Sequence, residues 1–342
     1  MKTRVIALAA VIVAITAISG CKNSNQLGLP PCNGKPGEVV LVISEDLYNG
    51  AAGDTLARIL ATDEPALPQT GMDGAEPLFD LIQIPPSAFN NMIRPARNLI
   101  IFEVDPAVAK PEIKVFRDYW AADQLLIRIF AQNREQLINL LDQSRSSLVE
   151  ILRESEIDRQ VGFNRKYSNI ELSSQLIRKH EIEASFPKGF DIRKDTEDFI
   201  WIHYDPADMT LGVLIWTYPY TDQKQLNYPE LVSFTDKHLK PRVPGPSTGS
   251  YMAIDLTIPV LTRTFTLNGN FVTELRGLWE TVGDFMGGPF ISWTYVDEER
   301  NRLVTAFGYV YAPKINKRNQ VRKVESILKT IDFPDQSISS NN

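Results

Sequence analysis

Asn268 and Gly269 stand between two apolar, β-branched runs, 261–267 and 271–279, and no other feature limits the fold of this chain as strongly. An Asn-Gly pair accepts the two positive φ angles of a type I′ turn, whose twist matches that of the flanking strands. The runs therefore predict an antiparallel hairpin. The pattern continues at 290–296 and 303–311, joined by the polar segment 297–302, and it is preceded by runs at 199–204, 211–218 and 253–258. Successive strands joined by short polar turns indicate antiparallel sheet.

Helical periodicity accompanies these strands. Leu137, Leu140, Leu141, Leu148, Ile151 and Leu152 fall on one stripe of a helix over 134–157, and Val321, Val324, Ile327, Leu328 and Ile331 on one face of a helix over 317–331. Further helices are expected at 169–183 and 229–239. Shorter apolar runs at 39–43, 78–84, 99–104, 113–120 and 125–130 predict a first set of strands. The reading is an α+β protein of two domains, 38–160 and 161–334, each a mainly antiparallel sheet packed with amphipathic helices.

The N-terminal end carries the most specific signal. Lys2 and Arg4 precede an apolar run over 5–18, too short to span a bilayer, which takes roughly 20 residues. Ile18, Ser19, Gly20 and Cys21 then match the lipobox, after which a bacterial signal peptide is cut and the cysteine is acylated, with palmitate among its chains. Residues 1–20 are expected to be the signal peptide, 21–37 a polar, Pro- and Gly-containing tether, and 335–342 a tail. Lys22, rather than an aspartate, follows the cysteine, which by the sorting rules of Gram-negative bacteria favours the outer membrane, facing the periplasm. Removal of Lys2 and Arg4 leaves 34 Lys+Arg against 42 Asp+Glu, a formal charge of −8 over the 322 residues from Cys21 to Asn342. An acidic balance argues against nucleic acid or anionic lipid headgroups as partners. With Cys21 acylated, Cys32 has no intramolecular disulfide partner.

Motifs for catalysis are weak. Gly245, Pro246, Ser247, Thr248 and Gly249 fit G-x-S-x-G, yet they lie among prolines rather than between a strand and a helix, and His180, His203 and His238 all precede the serine. His203, Asp205 and Asp208 read better as a strand end and a turn than as metal ligands, and no H-E-x-x-H or paired cysteines occur. No P-loop or dinucleotide fingerprint is present, so no cofactor is expected. The second half is rich in aromatics. Arg276, Trp279, Met286, Gly287, Gly288, Trp293 and Tyr309 form the expected binding surface if they are open to solvent, and a tight sheet corner if they are not.

The stretches LFDLIQIPPSAF (78–89), RGLWETVGDFMGGPF (276–290) and YVYAPKINKRNQVRK (309–323) resemble a family of lipoproteins of Gram-negative, Bacteroides-type anaerobes, classed as a domain of unknown function. The resemblance covers nearly the whole mature chain. It implies a lipid-anchored envelope location, with no activity and no catalytic residues to carry over. The expected function is a non-enzymatic module that binds an envelope protein or assists envelope assembly. The alternative is a carboxylate-based hydrolase of glycan or peptidoglycan, which would need two acids facing each other across an aromatic-lined cleft.

Mass spectrometry of the protein purified from membranes is expected to find an acylated Cys21 as the N-terminal residue. An unmodified thiol, or a retained leader, would remove the anchor.

Overall fold

The computed structural model describes residues 28–65, 67 and 75–334. The signal peptide, the lipidated Cys21, the start of the tether and the tail lie outside the described residues. The chain forms two compact units, the first from residues up to Ile59 and from Asp80 to Val149, the second from Leu60 to Phe79 and from Glu150 onward.

In the first unit the elements are β1 (Glu38–Val42), α1 (Glu45–Tyr48), α2 (Ala51–Leu60), β2 (Asp80–Ile84), β3 (Asn98–Val104), β4 (Glu112–Arg117), β5 (Leu125–Ala131) and α3 (Arg134–Gln143). Asn133 caps α3 by accepting the Gln136 N–H. The sheet order is β2-β1-β3-β5-β4. Here the pairing departs from the antiparallel expectation: β1 runs parallel to β2 and to β3, β3 runs parallel to β5, and β4 alone pairs antiparallel. Short apolar runs do not reveal strand direction. The long segments between β1, β2 and β3 do, because they return the chain to the same end of the sheet. The latter part of the stretch read as tether also belongs to this unit, since Pro31 bridges Ala122 and Asn33 bridges Ala96.

The long helix expected over 134–157 is two helices. Ser144 ends α3, and α4 (Arg145–Lys166) begins directly after it. The first unit ends inside α4, at Val149.

The second unit continues with α5 (Ile170–His180), β6 (Asp191–Asp195), β7 (Phe199–Tyr204), β8 (Thr210–Pro219), α6 (Tyr228–Arg242), β9 (Tyr251–Asp255), β10 (Leu261–Leu267), β11 (Asn270–Val282), β12 (Gly287–Asp297), β13 (Arg302–Tyr311) and α7 (Arg318–Leu328). Its strands run β10-β11-β12-β13-β8-β7-β6, with β9 beside the far half of β11, and every pairing is antiparallel. Asn268 and Gly269 take φ of 51° and 87°, as the hairpin requires.

Helices cover both faces of this sheet. On one, Val304, Ala306 and Val310 meet Val321, Val324, Ile327 and Leu328 of α7 and Leu172 and Leu176 of α5. On the other, Phe307 and Tyr309 meet Leu231, Val232 and Leu239 of α6 and Met252 and Ile254 of β9. The alternating aromatics of β13 are thus core, under α6 and β9 rather than under the last helix. Helix α7 lies so close to the sheet that a Cβ on Gly308 would stand 2.0 Å from Val324 Cγ1.

Gly308→Ala is therefore expected to destabilise the protein by about 1–3 kcal/mol, the usual cost of overpacking, in a urea melt. An unchanged midpoint would contradict the close packing of α7.

Candidate functional site

The second unit is the expected place for a binding surface, and there Arg276, Trp279, Trp293 and Tyr309 are instead buried, on opposite sides of the sheet, while Met286, Gly287 and Gly288 are partly exposed. Trp279 and Tyr309 lie on the α6 side, ring centroids 5.6 Å apart and edge-on. The Trp279 indole donates to the Val310 carbonyl at 3.2 Å and passes over Gly288, where a Cβ would lie 3.3 Å from Nε1 and 2.1 Å from the Val310 oxygen. Gly287 packs against the Trp279 carbonyl, and Met286 is partly buried against the same core. The Tyr309 hydroxyl accepts from Trp201, and burial pushes its pKa up to about 12. Arg276 and Trp293 lie on the α7 side. The glycine-rich stretch therefore makes a sheet corner that seats an indole, and the seven residues do not form one open surface.

Arg276 and Trp293 belong to a charge network that sequence periodicity did not reveal. Glu274 on β11 accepts from Arg276 Nε at 2.8 Å, Arg263 Nε at 2.9 Å and Trp293 Nε1 at 2.7 Å. Glu325 on α7 accepts from Arg276 and from Arg153 of α4. Burial by itself would raise the pKa of Glu274, but Arg276 and then Arg263 outweigh it and hold the group at about 2. Burial likewise opposes ionisation of Glu325, and Arg153 and Arg276 override it, so its pKa is also lowered. A glycosidase pair needs one carboxyl that keeps a proton near neutral pH. These two are both fixed as anions inside the protein, with no cleft between them for a sugar.

A second set of charges binds residues 60–79 into the same unit. Glu64 pairs with Arg322 at 2.9 Å, and the Arg322 guanidinium lies 5.0 Å from the Phe79 ring centroid. The Glu76 carboxylate accepts the backbone N–H groups of Lys317 and Arg318 at 2.6 and 2.8 Å. It therefore caps the N-terminus of α7, where Lys317 supplies no side-chain cap.

Elsewhere the weak motifs resolve into local structure. Ser247 donates to Asp284, and Asp205 accepts from Thr210 in a turn. His180 and Lys179 hold Asp195 at 2.8 and 2.7 Å. Burial works against that carboxylate, and its hydrogen bonds from Lys179, His180 and Gln175 still lower its pKa.

The surface that is open lies in the first unit. Register aligns Ile82, Val40, Leu99, Leu126 and Phe116 in one row across all five strands, and Ile84, Val42, Ile101, Arg128 and Lys114 in the next. Leu99, Leu126 and Val42 are buried beneath Phe89 and Trp120. Val40, Ile101 and Phe116 remain half-buried, and Ile82 is 36% exposed. Four rings make a continuous ladder at one end: Phe89 and Trp120 at 5.8 Å, Trp120 and Tyr119 at 4.7 Å, Tyr119 and Phe116 at 5.4 Å. Tyr119 is 47% exposed. Arg94 lies 5.7 Å from the Trp120 centroid, and neither it nor Arg117 has a carboxylate partner among the described residues. At the other end the paired charges Arg128–Glu103 and Lys114–Glu112 form a polar border. An apolar strip with aromatic residues and a charged rim has the make-up of a docking surface. The sequence run 113–120 was read as one strand; Asp118, at φ 52°, ends it and turns Tyr119 and Trp120 out beside the sheet.

Comparisons with known proteins bear on family alone. Residues 169–330 match the family model described as Domain of unknown function (DUF4837), and residues 32–163 match Domain of unknown function (DUF8532). No curated protein matches the chain. Among solved structures, the Ran-binding protein Mog1p of Saccharomyces cerevisiae is similar over 46% of this chain and 93% of its own, at 10% identity and a TM-score of 0.32. LpqN of Mycobacterium tuberculosis, described as involved in cell envelope biogenesis, is similar over 45% and 83%, at 15% identity and a TM-score of 0.28. A Bacteroides thetaiotaomicron VPI-5482 protein is similar over 46% of each chain, at 8% identity and a TM-score of 0.25. Likenesses this distant carry no argument about function.

Glu274→Gln is expected to cost about 3–5 kcal/mol at pH 7, because it leaves Arg276 buried beside a neutral group. An ordinary glutamate titrates near 4.5, so the stability due to Glu274 is complete above that pH and is lost as pH falls toward about 2. The gap between wild type and variant in denaturant midpoints should narrow over that interval. A constant gap would show that the network does not act through this charge.

Proposed function

We infer that this chain is a lipid-anchored protein of the bacterial cell envelope that docks another protein on the open sheet face of its first unit, without chemistry of its own. The observation that carries the reading is that face, with its row of half-exposed apolar side chains and its ladder of four aromatic rings. The anchor reading rests on Ile18, Ser19, Gly20 and Cys21 after the basic start and apolar run. Among the described residues no helix is long and apolar enough to cross a membrane; acyl chains on Cys21 would hold the protein by themselves. Lys22 after the cysteine supports the outer membrane and its periplasmic face. The partner's matching surface is apolar, with a carboxylate placed to meet Arg94 beside Trp120.

The test is a photo-crosslinking amino acid at Tyr119 in cells, compared with one at Glu298 in the second unit. A single protein species should be captured at 119 and not at 298, and Trp120→Ser should reduce its yield at least tenfold. Because that change also uncovers Leu99, Leu126 and Val42, a thermal melt checks that the variant is folded, and Arg94→Glu, at an exposed residue, should lower the yield in the same direction. Equal capture at both positions, or capture untouched by Trp120→Ser, would remove the docking reading. Cys21→Ala should release the protein from the membrane fraction.

A further inference from the structure

Among the described residues nothing covers Phe285. It stands at the tip of the turn that joins β11 to β12, between Gly283 and Gly287, and is 105% exposed relative to an extended reference. An aromatic ring held wholly in water on an ordered turn is unusual, because its burial is among the larger gains a side chain can make. The turn is braced from behind. Asp284 accepts from the Ser247 hydroxyl and, at 2.7 Å, from the Phe285 N–H, which draws its carboxylate back toward the 245–250 loop and leaves the ring foremost.

That loop borders an open hollow of about 990 Å³, lined in part by Lys237, Lys240 and Tyr251, with Lys240 Nζ 4.7 Å from the Tyr251 ring centroid. Tyr251 pairs with Val282 at the root of this turn, and Lys237 and Lys240 are exposed residues of α6 that line the hollow. Although the chain as a whole is acidic, this corner therefore joins a protruding apolar ring to a tyrosine and two lysines, the parts of an interfacial membrane contact. The ring enters the acyl boundary, the tyrosine sits at headgroup depth, and the ammonium groups meet phosphate. We propose that Phe285 is a membrane peg: it enters the phospholipid surface to which the chain is tethered, while Lys237 and Lys240 bind lipid phosphates beside it.

This inference rests on the acyl anchor proposed above. A single ring and two lysines bind a bilayer weakly from solution, but a tether raises the local concentration of the surface to a level at which such a contact is mostly closed. The peg would then orient the second unit on its membrane.

The experiment uses the full acylated chain, reconstituted by its own lipid into vesicles of phosphatidylethanolamine and phosphatidylglycerol. An environment-sensitive fluorophore is placed on Phe285→Cys in a Cys32→Ser background, and on Glu298→Cys as a control, since 298 lies in the turn at the opposite end of β12. Phe285 contacts no core residue, so the labelled chain should fold, and a thermal melt checks this. The label at 285 should shift to the blue and be quenched by headgroup-depth spin-labelled lipid at least several-fold more than the label at 298. Lys237→Glu with Lys240→Glu should reduce that quenching at least twofold.

An acylated chain whose label at 285 is as water-exposed as at 298 would overturn the peg and leave the anchor standing. A blue shift that grows with the protein-to-lipid ratio would assign the ring to a second copy of the chain and likewise overturn it. An unmodified Cys21 would overturn the anchor and the peg together.

Discussion

The need to neutralise the polar side of α7 organises the second unit. One side of this helix meets the sheet through Val321, Val324, Ile327 and Leu328, as its periodicity foretells. The opposite side carries Arg318, Arg322 and Glu325, which an amphipathic helix would ordinarily show to water. All three are buried. Each buried charge therefore demands a partner, and the partners come from far away in the chain: Arg153 of α4 and Arg276 of β11 for Glu325, Glu64 for Arg322, and the Pro77 carbonyl for Arg318. A buried ion network is a poor source of net stability compared with apolar packing, but it is severe on wrong arrangements, since any mispairing strands a charge. We read its role as fixing which segments close over α7.

That demand explains where the sequence was legible and where it was not. The hairpin at Asn268 and Gly269, the strands that follow, and the apolar stripe of α7 are local patterns, and local patterns survive in one dimension. The assignment of residues 60–79 to the second unit is not local. It depends on Glu64 and Glu76 finding groups more than 240 positions later, and nothing in a Pro- and Gly-containing stretch announces that. Strand direction in the first sheet is hidden for a related reason, because the apolar runs of β1, β3 and β5 look alike in either orientation. The aromatics of β11 to β13 gave the opposite difficulty. Their abundance read equally as a surface or a core, and only the placement of α6 and β9 on the far face makes Trp279 and Tyr309 interior.

The same contrast separates the two units as sites. The second has helices on both faces of its sheet and its buried Glu274 and Glu325 held as anions, so its interior is committed to holding itself together. The first covers part of one face with no more than Phe89 and Trp120, and leaves a strip of isoleucine, valine and phenylalanine half in water. An uncovered apolar strip costs solubility unless something occupies it.

The cap that Glu76 places on α7 also has a meaning in time. A chain synthesised N-terminus first presents the segment around Glu76 long before it presents Lys317 and Arg318, with 241 positions between the carboxylate and the first amide it receives. Until the last helix arrives, that segment has nothing to close upon, and contacts of such separation form late because the whole intervening loop must be ordered first. Maturation of the second unit is thus postponed until the last helix is available, and through that interval its sheet stands without the helix that covers one of its faces.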